Sequence, residues 1–159
     1  MDVKENWTDS DFDELGWHDC RLYGIVLPDE NFTLAFDLDY IFKWEKVLNG
    51  FNFWISPCDL VFRDISGLKV DIDYKDSMLM FVSELKRTNS RLSPNGKLML
   101  WDYCVECDNG QITFSSSGFT QKIRLQPVLS ETQDLNNRCQ RPIVSNIGLN
   151  NKINSKDGG

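Results

Sequence analysis

Between positions 32 and 44 the chain sets apolar residues on every second position: Phe32, Leu34, Phe36, Leu38, Tyr40, Phe42 and Trp44. The intervening set is Thr33, Ala35, Asp37, Asp39, Ile41, Lys43 and Glu45. A period of two is that of an extended strand, whose successive side chains point to opposite faces of a sheet. The pattern predicts a strand in an antiparallel sheet, oily on one face and wet on the other, with Asp37 and Asp39 in solvent.

Similar patterns recur along the chain. Residues 19–27 set Tyr23, Ile25 and Leu27 against Cys20, Leu22 and Val26, and the turn residues Pro28, Asp29, Glu30 and Asn31 join them to the long strand as a hairpin. Residues 45–49 read as a short helical turn or a loop, with Gly50 available as a stop. Strands over 51–55 and 60–65 flank Ser56-Pro57, because proline cannot donate to a ladder and marks a bend or an edge. Over 68–75, Leu68, Val70, Ile72 and Tyr74 alternate with Lys69, Asp71, Asp73 and Lys75. The phrase apolar-Asp-apolar-Asp-Tyr therefore occurs twice, about 34 residues apart, as a duplicated strand unit would place it. Residues 78–86 read as a strand, although their apolar spacing also satisfies a helix.

The strongest hairpin signal lies at 97–116, where Asn109-Gly110 is the pair that a two-residue type I′ turn favours. Pairing Asp108 with Gln111 places Val105 opposite Phe114, Cys107 opposite Ile112 and Glu106 opposite Thr113, so apolar meets apolar and polar meets polar. A last strand over 119–125 stops at Pro127. Ser130-Glu131-Thr132-Gln133 matches a capping box and predicts one helix over 131–139. Residues 1–16 read as a loosely held arm with at most one short helical turn, and 145–159 have the composition of a disordered tail. The expected whole is a single domain over 1–144, mainly β: an antiparallel sandwich or strongly curved sheet of about eight strands with one or two short helices. An α+β fold is the alternative. At 159 residues and 41% hydrophobic content the chain is long enough to bury a substantial core.

Charge narrows the partners. The formal net charge is -7, with 17 acidic against 7 basic residues in 1–80 and 7 against 10 in the remainder. An acidic surface repels the phosphate backbone that supplies most nucleic-acid affinity, so nucleic acid is not expected and a basic protein is the partner that fits. No run of apolar residues is long enough to span a bilayer and the first residues lack a secretory pattern, which predicts a cytoplasmic protein with no membrane partner. Five scattered cysteines do not form a disulfide framework. Cys104 and Cys107 have a Cys-x-x-Cys spacing, but no second pair completes a zinc site, and they point to opposite sides of one strand. No motif calls for a cofactor.

Two groups could carry chemistry. Asp37 and Asp39 share a strand face, about 6.6 Å apart between Cα atoms, and a neighbouring strand carrying Asp71 and Asp73 would complete a carboxylate group fit for a hard cation. His18 is the one histidine, in Trp17-His18-Asp19-Cys20, where a Cys–His pair or a His18–Asp19 pair would serve a small hydrolase. Against both stands the simpler reading of a solvated polar face and a packed histidine.

The phrases Trp17-His18-Asp19, Asp37-Leu38-Asp39-Tyr40-Ile41, Lys43-Trp44, Phe53-Trp54-Ile55-Ser56-Pro57, Leu60-Val61-Phe62 and Gly118-Phe119-Thr120-Gln121, with Arg124, together resemble a group of small bacterial proteins without an established activity. Some of these sit among toxin-immunity genes. The resemblance covers residues 17–138 in scattered phrases and brings no catalytic residue with it. It implies a bacterial, non-enzymatic binding protein, so the first expectation is an immunity-type module with an acidic surface and the alternative is a small hydrolase or metal-dependent enzyme.

Overall fold

A computed structural model of the chain describes residues 1–135. Two long strands dominate it, β3 (Leu34–Val47) and β4 (Gly50–Arg63), joined by a tight turn at Leu48-Asn49. The short helical turn or loop expected over 45–49 is thus strand on both sides of a two-residue turn. Around the pair are β1 (Asn6–Thr8), β2 (Arg21–Val26), β9 (Gly118–Ile123) and β10 (Val128–Ser130). They form one antiparallel sheet in the order β1-β9-β4-β3-β2, with β10 alongside β4. A second antiparallel sheet has the order β5-β8-β7-β6, from β5 (Ser66–Ile72), β6 (Val82–Leu92), β7 (Met99–Cys107) and β8 (Gly110–Ser116). The fold is mainly β, as the alternation requires, and the sheets pack as a sandwich. Among the described residues the count reaches ten strands, because β1 and β10, three residues each, escape detection by periodicity.

The core lies between the sheets. Phe62 of β4 stands 4.9 Å from the ring of Tyr103 and 4.7 Å from that of Phe114, and Phe36 stands 6.3 Å from Phe114. Along one side the start of β6 runs beside the start of β2, where the Leu22 N–H donates to the Met80 carbonyl and the Val82 N–H to the Cys20 carbonyl, each at 2.8 Å.

The long strand departs from its expected form in one important way. Leu34, Phe36, Leu38 and Tyr40 are buried as expected, but Asp37 and Asp39 are buried too, at 1% and 0% exposure. The strand is paired on both edges, by β2 and β4, and its outer face is covered by Arg124 and the segment 128–135. Alternation reports two environments; it does not say that the second is water. Phe32 lies outside the strand, exposed, with φ 54, at the turn that leads into Leu34.

Pro57 neither breaks nor ends its strand. In an extended chain the N–H and C=O of one residue point to the same side. The Pro57 carbonyl accepts from the Arg124 N–H at 2.8 Å, so its missing donor faces the gap where β4 changes partner from β9 to β10. The reciprocal bond to the Arg124 carbonyl is therefore missing, and the β9 ladder stops at Ile123.

The β7–β8 hairpin forms with a register two residues from the expected one: Val105 faces Ile112, Tyr103 faces Phe114 and Cys107 faces Gly110. A shift of two keeps every side chain on its face, which is why the hydrophobic pattern could not exclude it. Gly110 serves close approach instead of a type I′ turn: a Cβ there would collide with the Asp71 carbonyl oxygen of β5.

Three further expectations change. Strand β6 runs over Val82–Leu92, starting and ending later than the strand expected over 78–86. The arm is held: Trp7 is buried in β1, and a 3₁₀ helix (Asp9–Glu14) follows, its entry fixed by the Asp11 carboxylate accepting the Thr8 N–H at 2.8 Å. The helix expected over 131–139 is absent from 131–135, where 131–134 are bends, while residues 136–139, the domain limit at 144 and the tail 145–159 lie outside the described residues.

Candidate functional site

The aspartates do not gather. Asp37 and Asp39 belong to a buried polar layer on the outer face of the first sheet. Arg124 donates to Asp37 Oδ1 at 2.7 Å and to Asp59. Asp39 accepts the Leu135 N–H at 2.7 Å and a hydrogen bond from the Tyr23 hydroxyl, while Arg21 pairs with Asp134 at 2.7 Å. Burial lifts the Asp59 carboxyl above its usual range, with Arg124 pulling the other way. The layer fastens the 128–135 segment across the sheet.

Asp71 and Asp73 are exposed, on and just beyond β5 in the other sheet. The four-carboxylate cation site expected from the repeated phrase is therefore not assembled, because β3 and β5 lie in different sheets. Among the described residues no group of three or more His, Cys, Asp or Glu is arranged to hold a metal ion.

His18 and Cys20 also separate. The chain reverses at Asp19, which takes φ 62, and the Cys20 N–H closes the turn on the Trp17 carbonyl at 3.1 Å. Cys20 is fully buried, and burial pushes its thiol up to about 12, so no thiolate is available for a Cys–His pair. The His18 ring is exposed, with Nδ1 3.0 Å from the Ser83 carbonyl and Nε2 3.4 Å from Asp19 Oδ2. Cys104 and Cys107, half-buried on β7, alternate faces as expected.

What the structure does assemble is an acidic end made from separate segments. A cleft of about 330 Å³ runs between the arm, through Asp13, Leu15, Trp17 and His18, and the start of β6, through Ser83, Glu84 and Leu85. Ser83 also borders a second, open hollow of about 500 Å³ lined by Asp71, Asp73 and Glu106. Five carboxylates thus border two adjoining depressions. Among them Glu84 stands directly opposite Glu106 across β6–β7, an arrangement that destabilises a sheet unless a cation intervenes. Lys86 lies between them, 2.9 Å from Glu106 and 3.5 Å from Glu84.

The chain matches no protein-family model, no curated protein and no solved structure. The site therefore stands on its own geometry. Of its residues, the sequence singled out His18, Asp71 and Asp73; Asp13, Ser83, Glu84 and Glu106 carried no local signal. Only the β6–β7 register could have revealed the Glu84–Glu106 opposition, and that needed the full extent of β6.

The buried hydroxyl and thiol groups make a testable prediction. Burial raises Cys20 from 9.0 to about 12, Cys107 from 9.0 to about 12 and Tyr40 from 10.0 to about 12. In the window between ordinary and raised values the unfolded chain releases protons that the folded chain keeps, so stability falls as pH rises. Urea midpoints should decline from pH 9 to pH 11, with native Cys20 resisting a thiol reagent throughout. A flat profile would show that these groups titrate alike in both states.

Proposed function

We propose that this protein is a non-enzymatic binding module of immunity type, acting in a bacterial cytoplasm, whose acidic end captures a basic surface on a partner protein. The opposition of Glu84 and Glu106 carries the reading. Lys86 bridges the two glutamates and Lys75 pairs with Asp73, so the five carboxylates of this end, with Asp71 on one side and Asp13 on the other, outnumber the lysines that meet them. A cationic partner meets the remaining negative charge, and charge complementarity of this kind speeds encounter and fixes orientation. Burial of Asp37 and Asp39 moves the acidic face expected on β3 to this end of the second sheet. The scattered phrases that resemble toxin-immunity-associated proteins point the same way.

The test is direct binding to the product of the reading frame adjacent to this one, measured by calorimetry at low and at physiological salt. Affinity should fall on the order of tenfold with the added salt. The variant Asp71→Lys/Glu84→Lys/Glu106→Lys should lose binding while keeping the wild-type far-ultraviolet spectrum. Binding indifferent to both salt and charge reversal would refute the proposal.

A further inference from the structure

We infer that the cleft between the arm and β6 receives an arginine side chain of the partner, an inference that rests on the acidic end being the binding surface. The cleft differs from the open hollow beside it in having an apolar floor. Trp17 and Leu85 are buried beneath it, while Asp13 and Glu84 stand exposed on its two walls. The floor is rigid: the Trp17 indole N–H donates to Gln121 Oε1 at 2.8 Å, and its ring lies 5.8 Å from Phe119. Apolar floor with carboxylate rim is complementary to a side chain with an apolar stem and a cationic head.

Arginine fits better than lysine for two reasons. Its guanidinium is planar and weakly hydrated, so it packs on aromatic and aliphatic surface where a hydrated ammonium loses more. Phe12 on the arm side of the cleft already takes such packing from Arg87, 4.2 Å from its ring centroid and 4.4 Å from that of Trp101, which leaves Trp17 and Leu85 as the apolar surface for a partner's arginine. Glu84 is free to change partner, because its contact with Lys86 is the longer of the two that this lysine makes and exposed pairs contribute little. A bare cation is a poorer occupant, as the carboxylates come from opposite walls and apolar surface separates them.

The experiment is a titration of the full chain with capped hexa-arginine, hexa-lysine and hexa-glutamate at low salt, followed by amide and indole nuclear magnetic resonance. Hexa-arginine should shift the Trp17 indole and the amides of Gly16, His18, Ser83 and Glu84. Hexa-lysine should bind several-fold more weakly, and hexa-glutamate should leave the spectrum unchanged. Asp13→Asn/Glu84→Gln, near-isosteric at exposed positions, should weaken hexa-arginine about tenfold. Asp71→Asn/Asp73→Asn should weaken it less. If hexa-arginine binds but its shifts centre on Asp71, Asp73 and Glu106, and the Asp13/Glu84 variant binds as wild type, the acidic end stands and the arginine cleft does not. Equal binding of hexa-lysine also overturns the inference. Absence of any binding to either cationic peptide removes both it and the reading beneath it.

Discussion

Arg124→Met is expected to destabilise the fold by about 3–5 kcal/mol, the usual result of removing one partner from a buried ion pair. The side chain is 12% exposed and bridges Asp37, at 1%, with Asp59, at 21%. Without it the Asp37 and Asp59 carboxylates lose the guanidinium that bridges them. Asp59, which burial already pushes toward its neutral form, loses the guanidinium that pulls the other way. The sign follows: a carboxyl raised in the fold holds a proton that the unfolded chain has released, so the variant gains stability relative to wild type as pH falls from 7 toward 5. Chemical denaturation at both values measures this. Neutralising the acids along with the cation, in Asp37→Asn/Asp59→Asn/Arg124→Met, should recover most of the loss, because the desolvated charges go together. A single-variant loss below about 1 kcal/mol would mean that water reaches the layer.

That layer is also where sequence reading reaches its limit. Period-two alternation identified β3 as a strand and named its core face over Leu34, Phe36, Leu38 and Tyr40, all buried, whereas Phe32 and Trp44 at the two ends of the pattern are exposed. It could not tell that the other face is covered, because a buried aspartate and a solvated one look alike until Arg124, eighty-seven residues away, is placed beside it. The repeated phrase at Val70–Tyr74 shows the same limit: identical residue types end as a buried layer in β3 and an exposed edge in β5. Pro57 was read as a boundary because its tolerance in mid-strand depends on two other strands ending against it. Short strands such as β1 and β10 have too few residues for a period to register. The acidic end was legible only in part. Asp71, Asp73 and His18 stood out locally, whereas Asp13, Glu84 and Glu106 acquire meaning from a β6–β7 register and an arm packed across it.

The other large effect expected is at the seam between the sheets, where Phe62→Ala should destabilise by about 3–5 kcal/mol and Phe62→Leu by clearly less. Phe62 is 0% exposed and touches four other rings: Phe36 and Phe119 in its own sheet, Tyr103 and Phe114 in the facing one. Truncation leaves a cavity that neither sheet can fill without moving, whereas leucine keeps most of the volume. Against a total stability of about 5–15 kcal/mol for a domain of this size, the alanine variant should show a visibly lower thermal midpoint. The consequence reaches the acidic end, because the cleft straddles the same seam. Its floor, Trp17, rests on Phe119 of the first sheet, and its far wall, Ser83 to Leu85, belongs to the second. Loosening the contact between Phe62 and its partners loosens the distance between those walls. Phe62→Ala should therefore weaken binding of a cationic partner at temperatures where the variant is still folded, and Phe62→Leu should not. Equal affinities for wild type and the alanine variant, measured well below its midpoint, would show that the cleft is held by the arm alone.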